Sequence, residues 1–305
     1  MMSLRKMHID EVDTSASLVL RLVSTQFPQW ADLPIKSIDS SGTDNALYGL
    51  GDDMVVRLPR IHWAVGQVEK EHQWLPQLAP HLPLAIPAPI AKGAPAEGYP
   101  WPWSVYQWLE GKDATVEPVA DMRRAAIDLA QFLSALHRIA PEGEPPAVDQ
   151  NSRGLPLMIR DKQTCHAIEA LKGILNTNAV TAVWKEALRL PEWDRMPVLF
   201  HGDMMPGNLL LENGRLSAVV DFGGLGVGDP ACDLMIAWNL FSGESRDIFR
   251  EMLAVDDRTW ARGRAHALSQ ALIFIPYYLQ TNPVGVGNAQ RTIDEVLADC
   301  ARTVG

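Results

Sequence analysis

Two aspartates and an asparagine stand close together in the stretch FHGDMMPGNLLLENGRLSAVVDFGG, which runs from residue 200 to residue 224. Asp203 precedes Asn208 in a segment that also contains a proline and a glycine, and this composition indicates a loop. Asp221 follows an apolar, strand-like run. Carboxylate and amide oxygens can hold a divalent cation, and a carboxylate can take a proton from a hydroxyl group.

The segment between Asn208 and Asp221 is predicted to form a β-hairpin. Its two apolar runs, LLLE and RLSAVV, flank an Asn-Gly pair, which is a strong signal for a tight turn between antiparallel strands. Because a hairpin returns the chain to near its starting point, we expect Asp221 to lie beside Asn208, with Asp203 nearby.

Phosphoryl transfer requires this combination of groups. The γ-phosphoryl group is highly negative, so divalent cations bridge its oxygens and oxygen ligands must hold those cations. Mg²⁺ typically takes only one or two protein carboxylates, together with phosphates and water. A further carboxylate orients the acceptor hydroxyl and takes its proton. The cluster at 200–224 therefore suggests a phosphotransferase.

Composition and charge narrow the class of protein. The chain has 305 residues, enough for two domains or one two-lobed unit. Its hydrophobic fraction of 47% and charged fraction of 21% are typical of soluble globular proteins. The formal net charge of -10 argues against a nucleic-acid-binding surface and is compatible with a cationic small-molecule partner.

The cysteines and the apolar segments bear on location. Cys165, Cys232 and Cys300 are far apart and odd in number, so no disulfide framework or Cys-x-x-Cys metal site is indicated. The start, MMSLRKMHIDEVD, lacks the apolar stretch of a secretory signal, and the run ALIFIPYYL is too short to cross a bilayer. We therefore expect a cytoplasmic protein without a membrane partner.

The predicted elements change character along the chain. The first third contains β-like runs, among them NALYGLGDDMVVRLPR with a hairpin turn at LGDD, together with a segment of helical spacing at 15–27 and an amphipathic helix at 65–82. The segment WSVYQWLEG is aromatic and β-branched, which favours a strand, whereas most of the chain from residue 119 onward has helical spacing. This order predicts an α+β protein with two lobes, residues 1–109 and 110–305.

The motifs HGD, PGNLL, VVDFG and GDPACDL together resemble those of the aminoglycoside phosphotransferase family, small-molecule kinases with a protein-kinase-like fold. The order Asp, four residues, Asn and then Asp-Phe-Gly is also the protein-kinase catalytic pattern, although Gly202 stands where protein kinases have arginine. The resemblance extends from about residue 35 to residue 300.

This resemblance implies a small β-rich nucleotide-binding lobe and a larger, mainly helical catalytic and acceptor-binding lobe. It implies that Asp203 is the catalytic base or the residue that orients the hydroxyl, and that Asn208 and Asp221 hold Mg²⁺. It also implies structural roles for His201, under the catalytic loop, and for Asp233, which would bind the backbone of that loop.

The nucleotide side has no G-x-G-x-x-G and no G-x-x-x-x-G-K-[ST] sequence, so neither a Rossmann site nor a P-loop is supported. Ser41, Gly42 and Thr43 form the candidate turn over the phosphates. Arg57 stands where the family commonly has lysine, and the matching acid on the next helix is Glu71, with Glu69 as the alternative register.

The adenine or guanine base is expected against the strand that joins the lobes. Backbone groups of Gln107, Trp108 and Leu109 would contact the base edge. Since these contacts come mainly from the backbone, the sequence does not discriminate ATP from GTP.

Three functions remain open at this point. The first is a Mg²⁺- and nucleoside-triphosphate-dependent kinase for a hydroxyl of an antibiotic, an aminoglycoside or a macrolide, and thus an antibiotic-resistance enzyme. The second is the same chemistry on a housekeeping metabolite such as choline, homoserine, an amino sugar or a hexose. The third is a nucleotide-binding protein without transfer activity, which the replacement of lysine by Arg57 favours.

Overall fold

The computed structural model describes residues 10–38, 42, 44–140 and 153–304. The chain divides into two compact units: a first unit of Met1–Pro118 and Gly207–Gly223, and a second unit of Val119–Pro206 and Gly224–Gly305. Asn208 and Asp221 thus belong to the first unit and Asp203 to the second. The predicted lobe boundary between residues 109 and 110 stays a prediction.

The strands and helices of the described ranges are numbered in chain order. The strands are β1 (Ile35–Ile38), β2 (Asn45–Leu50), β3 (Met54–Pro59), β4 (Pro89–Gly93), β5 (Trp103–Gln107), β6 (Lys112–Asp113), β7 (Val198–Phe200), β8 (Leu209–Glu212), β9 (Arg215–Val219) and β10 (Gly226–Gly228). The helices are α1 (Ala16–Gln26), α2 (Val65–Leu78), α3 (Met122–Leu136), α4 (Asp161–Ala170), α5 (Thr177–Ala187), α6 (Ile236–Asn239), α7 (Gly243–Leu253), α8 (Asp257–Tyr278) and α9 (Pro283–Val304).

The first unit is built on an antiparallel sheet with strand order β1-β2-β3-β5-β4. Alternate residues of β3 face the interior, so that Val56 and Leu58 are buried in one core cluster with residues of α1. The turn between β2 and β3 falls at the predicted LGDD sequence, where Gly51 adopts a positive φ of 65°. The sheet thereby presents Arg57, the next residue after Val56, on its other face.

Helix α2 follows this sheet and is shorter than the sequence predicts. It ends at Leu78 and continues as a 3₁₀ turn over Ala79–His81, whereas the predicted helix runs to residue 82. The helix already contains Pro76, and Pro80 is a second proline without an amide N–H four residues later, where α-helical hydrogen bonding gives way to the 3₁₀ turn.

The predicted hairpin after Asn208 is present as β8 and β9, which pair with each other, and β8 also pairs with β6 on its other edge. Asn213 and Gly214 both have positive φ, 53° and 75°. This is the backbone that a two-residue hairpin turn of the Asn-Gly type requires. Short-range turn chemistry therefore brings the two ends of the hairpin together.

The second unit is mainly helical. Helix α8 packs against α4, α5 and α9, and α3 packs against α7, while β7 and β10 form a short antiparallel ribbon. The apolar run ALIFIPYYL lies in α8 as a partly buried helix segment. In the part of the chain that the structure describes, no helix is both long and apolar enough to span a bilayer. The β-rich first region and the helical second region confirm the predicted α+β class.

Candidate functional site

The positively charged centre of the first unit is Arg57 on β3. Its guanidinium donates through Nη1 to both carboxylate oxygens of Glu71, at 2.6 and 2.5 Å, and through Nη2 to Oδ1 of Asp221 at 2.6 Å. Gln67 on α2 accepts a further, longer hydrogen bond from Nη2 at 3.2 Å. Arg57, the candidate phosphate-binding cation, thus contacts both its candidate acid, Glu71, and a candidate metal ligand, Asp221.

Glu71 is the buried anchor of this network, with 1% of its surface exposed. It lies on the face of α2 that also carries Val68 and Leu75, three residues before it and four after it. The hydroxyl of Tyr106 on β5 donates to its Oε2. Burial, and then the neighbouring carboxylate of Glu71, raise the pKa of Tyr106, so the phenol remains protonated and donates.

Glu69, the alternative partner, points elsewhere. It pairs with Lys92 at 2.5 Å, and both side chains are substantially exposed. Residues two apart on a helix do not share a face, so only one of the two glutamates can reach Arg57. The structure brings Glu71 to Arg57, while the role of this pair in nucleotide binding stays a prediction.

The electrostatics of Arg57 follow from this setting. Burial opposes its charged form, but the carboxylates of Glu71 and Asp221 outweigh burial and hold the pKa of Arg57 well above its ordinary value. A guanidinium can donate to two carboxylates at once through separate nitrogens, which the single ammonium of lysine does with less geometric order. Arginine at this position is therefore matched to its two partners.

The candidate metal ligands, Asn208 and Asp221, flank the hairpin in sequence and lie together at its open end. The backbone N–H of Val220 donates to the Asn208 carbonyl at 2.9 Å, which holds the end of β9 beside the start of β8. Asp221 follows with a positive φ of 63°, unusual for a residue other than glycine, and 33% of its side chain is exposed. One carboxylate and one amide oxygen are hard donors of the kind and number that Mg²⁺ takes alongside phosphates and water, so the residues present fit this ion.

The remaining residues predicted to bind the nucleotide are those of the phosphate turn and of the backbone expected at the base edge. Ser41 and Thr43 lie outside the described residues, so of the candidate phosphate turn only Gly42 is described. The amide N–H groups of Gln107 and Trp108 donate to the carbonyls of Ala88 and Asp53, at 2.9 and 2.7 Å. These two amides are therefore already engaged in hydrogen bonds with other backbone groups of the first unit. Of the three predicted residues, Leu109 is the better candidate to donate a backbone hydrogen bond to the base edge.

The HGD loop belongs to the second unit and directly follows β7. The fully buried carboxylate of Asp233 accepts from the backbone N–H groups of His201 and Gly202, at 3.0 and 2.7 Å. It also contacts Nε2 of His137 at 3.0 Å. The Asp203 amide in turn donates to Nδ1 of His201 at 3.1 Å. The buried Asp233 carboxylate therefore fixes the loop backbone, while 31% of the Asp203 side chain is exposed.

Arg153 is a neighbour of Asp203 that the sequence analysis does not identify. Its Nη1 donates to Oδ1 of Asp203 at 2.8 Å and to the carbonyl oxygen of Gly202. The two residues are distant in sequence, and a single arginine in the run NSRGLP carries no motif. Only the tertiary structure could reveal this contact.

Gly202 shows why this loop cannot carry the arginine of protein kinases. Its φ is +80°, and an added Cβ would lie 2.4 Å from the carbonyl oxygen of Gly224. We expect Gly202→Ala to lower the free energy of unfolding by about 2–3 kcal/mol, from the left-handed backbone and the clash together. Urea unfolding monitored by circular dichroism would measure it.

Gly173 supplies the matched control for that substitution. Its φ is +81°, but nothing lies within 4 Å of an added Cβ. Gly173→Ala should therefore cost only the backbone term of about 1–2 kcal/mol. Equal losses in the two variants would show that the contact with Gly224 does not constrain the loop.

Comparison with known proteins places these features in a family. The sequence pattern described as the phosphotransferase enzyme family matches residues 37–266. An aminoglycoside 3'-phosphotransferase of Salmonella typhimurium is 30% identical over 140 residues, which is 45% of this chain and 52% of that protein. The matched stretch therefore spans about half the length of this curated relative.

Two solved structures share the fold over nearly the whole chain. The GDP and kanamycin complex of APH(2")-IIia has a TM-score of 0.69 at 20% identity and covers 93% of this chain and 98% of its own. A macrolide 2'-phosphotransferase from Brachybacterium faecium has a TM-score of 0.61 at 22% identity and covers 90% of this chain and 97% of its own. These likenesses confirm the kinase-like two-part α+β fold that the motifs imply.

Proposed function

Because the chain belongs to the phosphotransferase enzyme family, we propose that it moves the γ-phosphoryl group of ATP or GTP to a hydroxyl group of a small molecule. The observation that carries the proposal is the Arg57 network of the first unit. The buried Glu71 holds the Arg57 guanidinium against Asp221. The Asn208 carbonyl accepts a hydrogen bond from the backbone N–H of Val220, the residue before Asp221. Cation, acid and metal-type ligands are the parts that phosphoryl transfer needs.

In this proposal Glu71 keeps Arg57 extended toward the phosphates, and Arg57 neutralises their charge. Asn208 and Asp221 would hold Mg²⁺, which when bound supplies charge neutralisation at the β- and γ-phosphates. Arg57 Nη2 now contacts Asp221, so a phosphate that binds Arg57 competes with Asp221 for the same nitrogen.

We propose two further sets of nucleotide contacts, one at the turn before β2 and one at the strand predicted to join the lobes. Ser41, Gly42 and Thr43 would cover the phosphates with backbone N–H groups and hydroxyls. The backbone from Gln107 to Leu109 would meet the base edge, with Leu109 as its main donor, since the Gln107 and Trp108 amides are engaged within the sheet.

Asp203 is the proposed base. Its carboxylate would orient the acceptor hydroxyl and accept its proton as the oxygen attacks the γ-phosphorus, while the nucleoside diphosphate leaves. The loop that carries Asp203 is held by Asp233 through two backbone N–H groups. A rigidly held carboxylate loses little entropy when the acceptor binds.

For the acceptor we propose an antibiotic, an aminoglycoside or a macrolide. The curated relative named above is an aminoglycoside 3'-phosphotransferase, and the two solved structures are of an APH enzyme with kanamycin and a macrolide 2'-phosphotransferase. The net charge of -10 suits a cationic acceptor. The alternative, a housekeeping amino alcohol or sugar, is decided by the same experiment.

That experiment measures release of ADP or GDP in a coupled assay with Mg²⁺. ATP and GTP are supplied in turn against kanamycin, erythromycin, choline, homoserine and glucose. Release that depends on kanamycin or erythromycin would support the antibiotic acceptor, and release with only the metabolites would replace it. Absence of acceptor-dependent release, with nucleotide binding shown by calorimetry, would favour a non-catalytic nucleotide-binding protein.

Asp221→Ala tests the proposed metal ligand. We expect the affinity for nucleotide in Mg²⁺ to fall at least about tenfold, because the change removes the carboxylate that would hold the ion. In EDTA the affinity should not fall, because Arg57 loses a carboxylate that competes with phosphate. Titration calorimetry under both conditions measures the difference.

The matched control is Asp52→Ala, which removes an exposed aspartate from the β2–β3 turn of the same unit. Its affinities should equal those of the wild type in both buffers. If Asp221→Ala bound Mg²⁺-nucleotide as tightly as this control, the metal placement would be wrong.

A further inference from the structure

The contact between Arg153 and Asp203 is more than a surface ion pair. Only 11% of the Arg153 side chain is exposed, and its Nη1 lies 2.8 Å from Oδ1 of Asp203. The same nitrogen donates to the carbonyl oxygen of Gly202, the preceding residue. Two contacts from one guanidinium to consecutive residues fix both the loop backbone and the orientation of the carboxylate.

The position of Arg153 is itself fixed by its neighbour in sequence. Gly154 has a φ of +68°, and an added Cβ there would lie 2.1 Å from the ring of Phe200 at the end of β7. Its carbonyl oxygen accepts from the Asp229 amide at 3.0 Å. The backbone at 154 is therefore packed directly against the strand that leads into the HGD loop, which places Arg153 beside that loop.

Charge gives an independent reason for the pairing. Arg153 is near a buried arginine, Arg160. Burial, and then the charge of Arg153, lower the pKa of Arg160 to about 10. Burial, followed by Arg160 and Arg153, also lowers the pKa of His266. A partly buried guanidinium among like charges needs a carboxylate partner, and Asp203 supplies one.

On these grounds, and resting on the proposed function, we propose that Arg153 is a positioning residue for phosphoryl transfer. It holds Oδ1 of Asp203, and this sets where the second carboxylate oxygen meets the acceptor hydroxyl. Protein kinases have arginine within the loop itself, next to the aspartate. Here the positive φ of Gly202 and the nearby carbonyl of Gly224 disfavour a side chain at position 202. The guanidinium comes instead from a separate segment of the chain.

The test compares Arg153→Ala and Arg153→Lys with wild type in the ADP and GDP release assay, with kanamycin, with erythromycin and with water as acceptor. We expect Arg153→Ala to lower kcat by about 10²-fold, since a misplacement near 1 Å has an effect of that size. The KM for nucleotide should stay within about twofold, because no uniform binding contact is lost. Arg153→Lys should recover part of kcat by restoring a cation.

A double variant shows whether Arg153 acts through Asp203. In an Asp203→Asn background, Arg153→Ala should cause little further loss, because residues that work as a unit are strongly non-additive. A full additional loss of about 10²-fold in that background would show that Arg153 acts by another route and would overturn the proposal.

Arg246→Ala is the matched structural control. Arg246 is a buried arginine of the same unit that pairs with Glu295 and donates to the carbonyl of Ala237, contacts made with α6 and α9. Its loss should lower the unfolding temperature and leave kcat of the folded protein unchanged. An equal fall in kcat in Arg246→Ala and Arg153→Ala would mean that Arg153 is merely structural.

The outcomes separate this inference from the function on which it rests. If the wild type releases nucleoside diphosphate and Arg153→Ala retains its kcat, the positioning role is wrong and the phosphotransferase stands. If the wild type releases none with any acceptor or with water, the proposed function fails and the role of Arg153 fails with it.

Discussion

Asp203→Asn is expected to lower kcat for phosphoryl transfer by about 10²–10⁴-fold, the usual contribution of a positioned general base. The amide keeps an oxygen for Arg153 but cannot accept the proton of the acceptor hydroxyl. The loop should stay folded, because Asp233 holds it through the backbone N–H groups of His201 and Gly202 rather than through the Asp203 side chain.

The measurement is kcat and KM for acceptor and nucleotide, together with nucleotide affinity by calorimetry. Asp203→Ala should show the same loss of kcat, with some loss of stability because Arg153 then lacks its carboxylate partner. Asp257→Ala, which removes a side chain that is 96% exposed in the same unit, should retain full activity. A kcat close to that of wild type in Asp203→Asn would assign the base elsewhere.

Glu71→Ala is expected to have the largest effect on stability, a loss of about 3–5 kcal/mol in the free energy of unfolding. The change removes a carboxylate that is 99% buried, given its 1% exposure, and leaves Arg57 with Asp221 as its remaining carboxylate partner. The Tyr106 hydroxyl also loses its acceptor. A buried cation that loses one of its two carboxylates and a buried hydroxyl donor that loses its acceptor are each costly.

Glu69→Ala is the control that the helix itself provides. Glu69 lies two residues away on α2, and its pair with Lys92 is exposed on both sides, so its loss should cost no more than about 1 kcal/mol. Urea unfolding of both variants measures the contrast. Similar stabilities for Glu69→Ala and Glu71→Ala would contradict the anchoring role of Glu71.

The sequence by itself determined the features that depend on short-range chemistry. The Asn213–Gly214 turn is one of them, because both residues tolerate the positive φ that a two-residue hairpin needs. That turn brings Asn208 and Asp221 to the same end of one hairpin. The β-rich first third followed by a mainly helical remainder likewise predicted the α+β class. The motifs from HGD to GDPACDL predicted the phosphotransferase family, which the match over residues 37–266 confirms.

Helix boundaries and helix faces were only partly accessible from the sequence. The choice between Glu69 and Glu71 depends on which side of α2 meets the sheet, and both glutamates satisfy a local pattern. Packing of Val68 and Leu75 into the interior decides the rotation of the helix, and Glu71 follows them inward. The strand predicted to contact the nucleotide base is a similar case, since hydrogen bonds to Ala88 and Asp53 engage two of its three candidate amides.

The contact of Arg153 with Asp203 was decided by tertiary structure alone. No periodicity or turn signal relates two residues so far apart in the chain, and the link exists because Gly154 packs against Phe200 at the end of β7. Local sequence sets backbone conformation over a few residues, whereas the meeting of distant side chains depends on how whole elements pack. The hairpin and the motifs can therefore be predicted from the sequence. The contact of the Arg153 guanidinium with Asp203, the proposed base, is evident only in the folded protein.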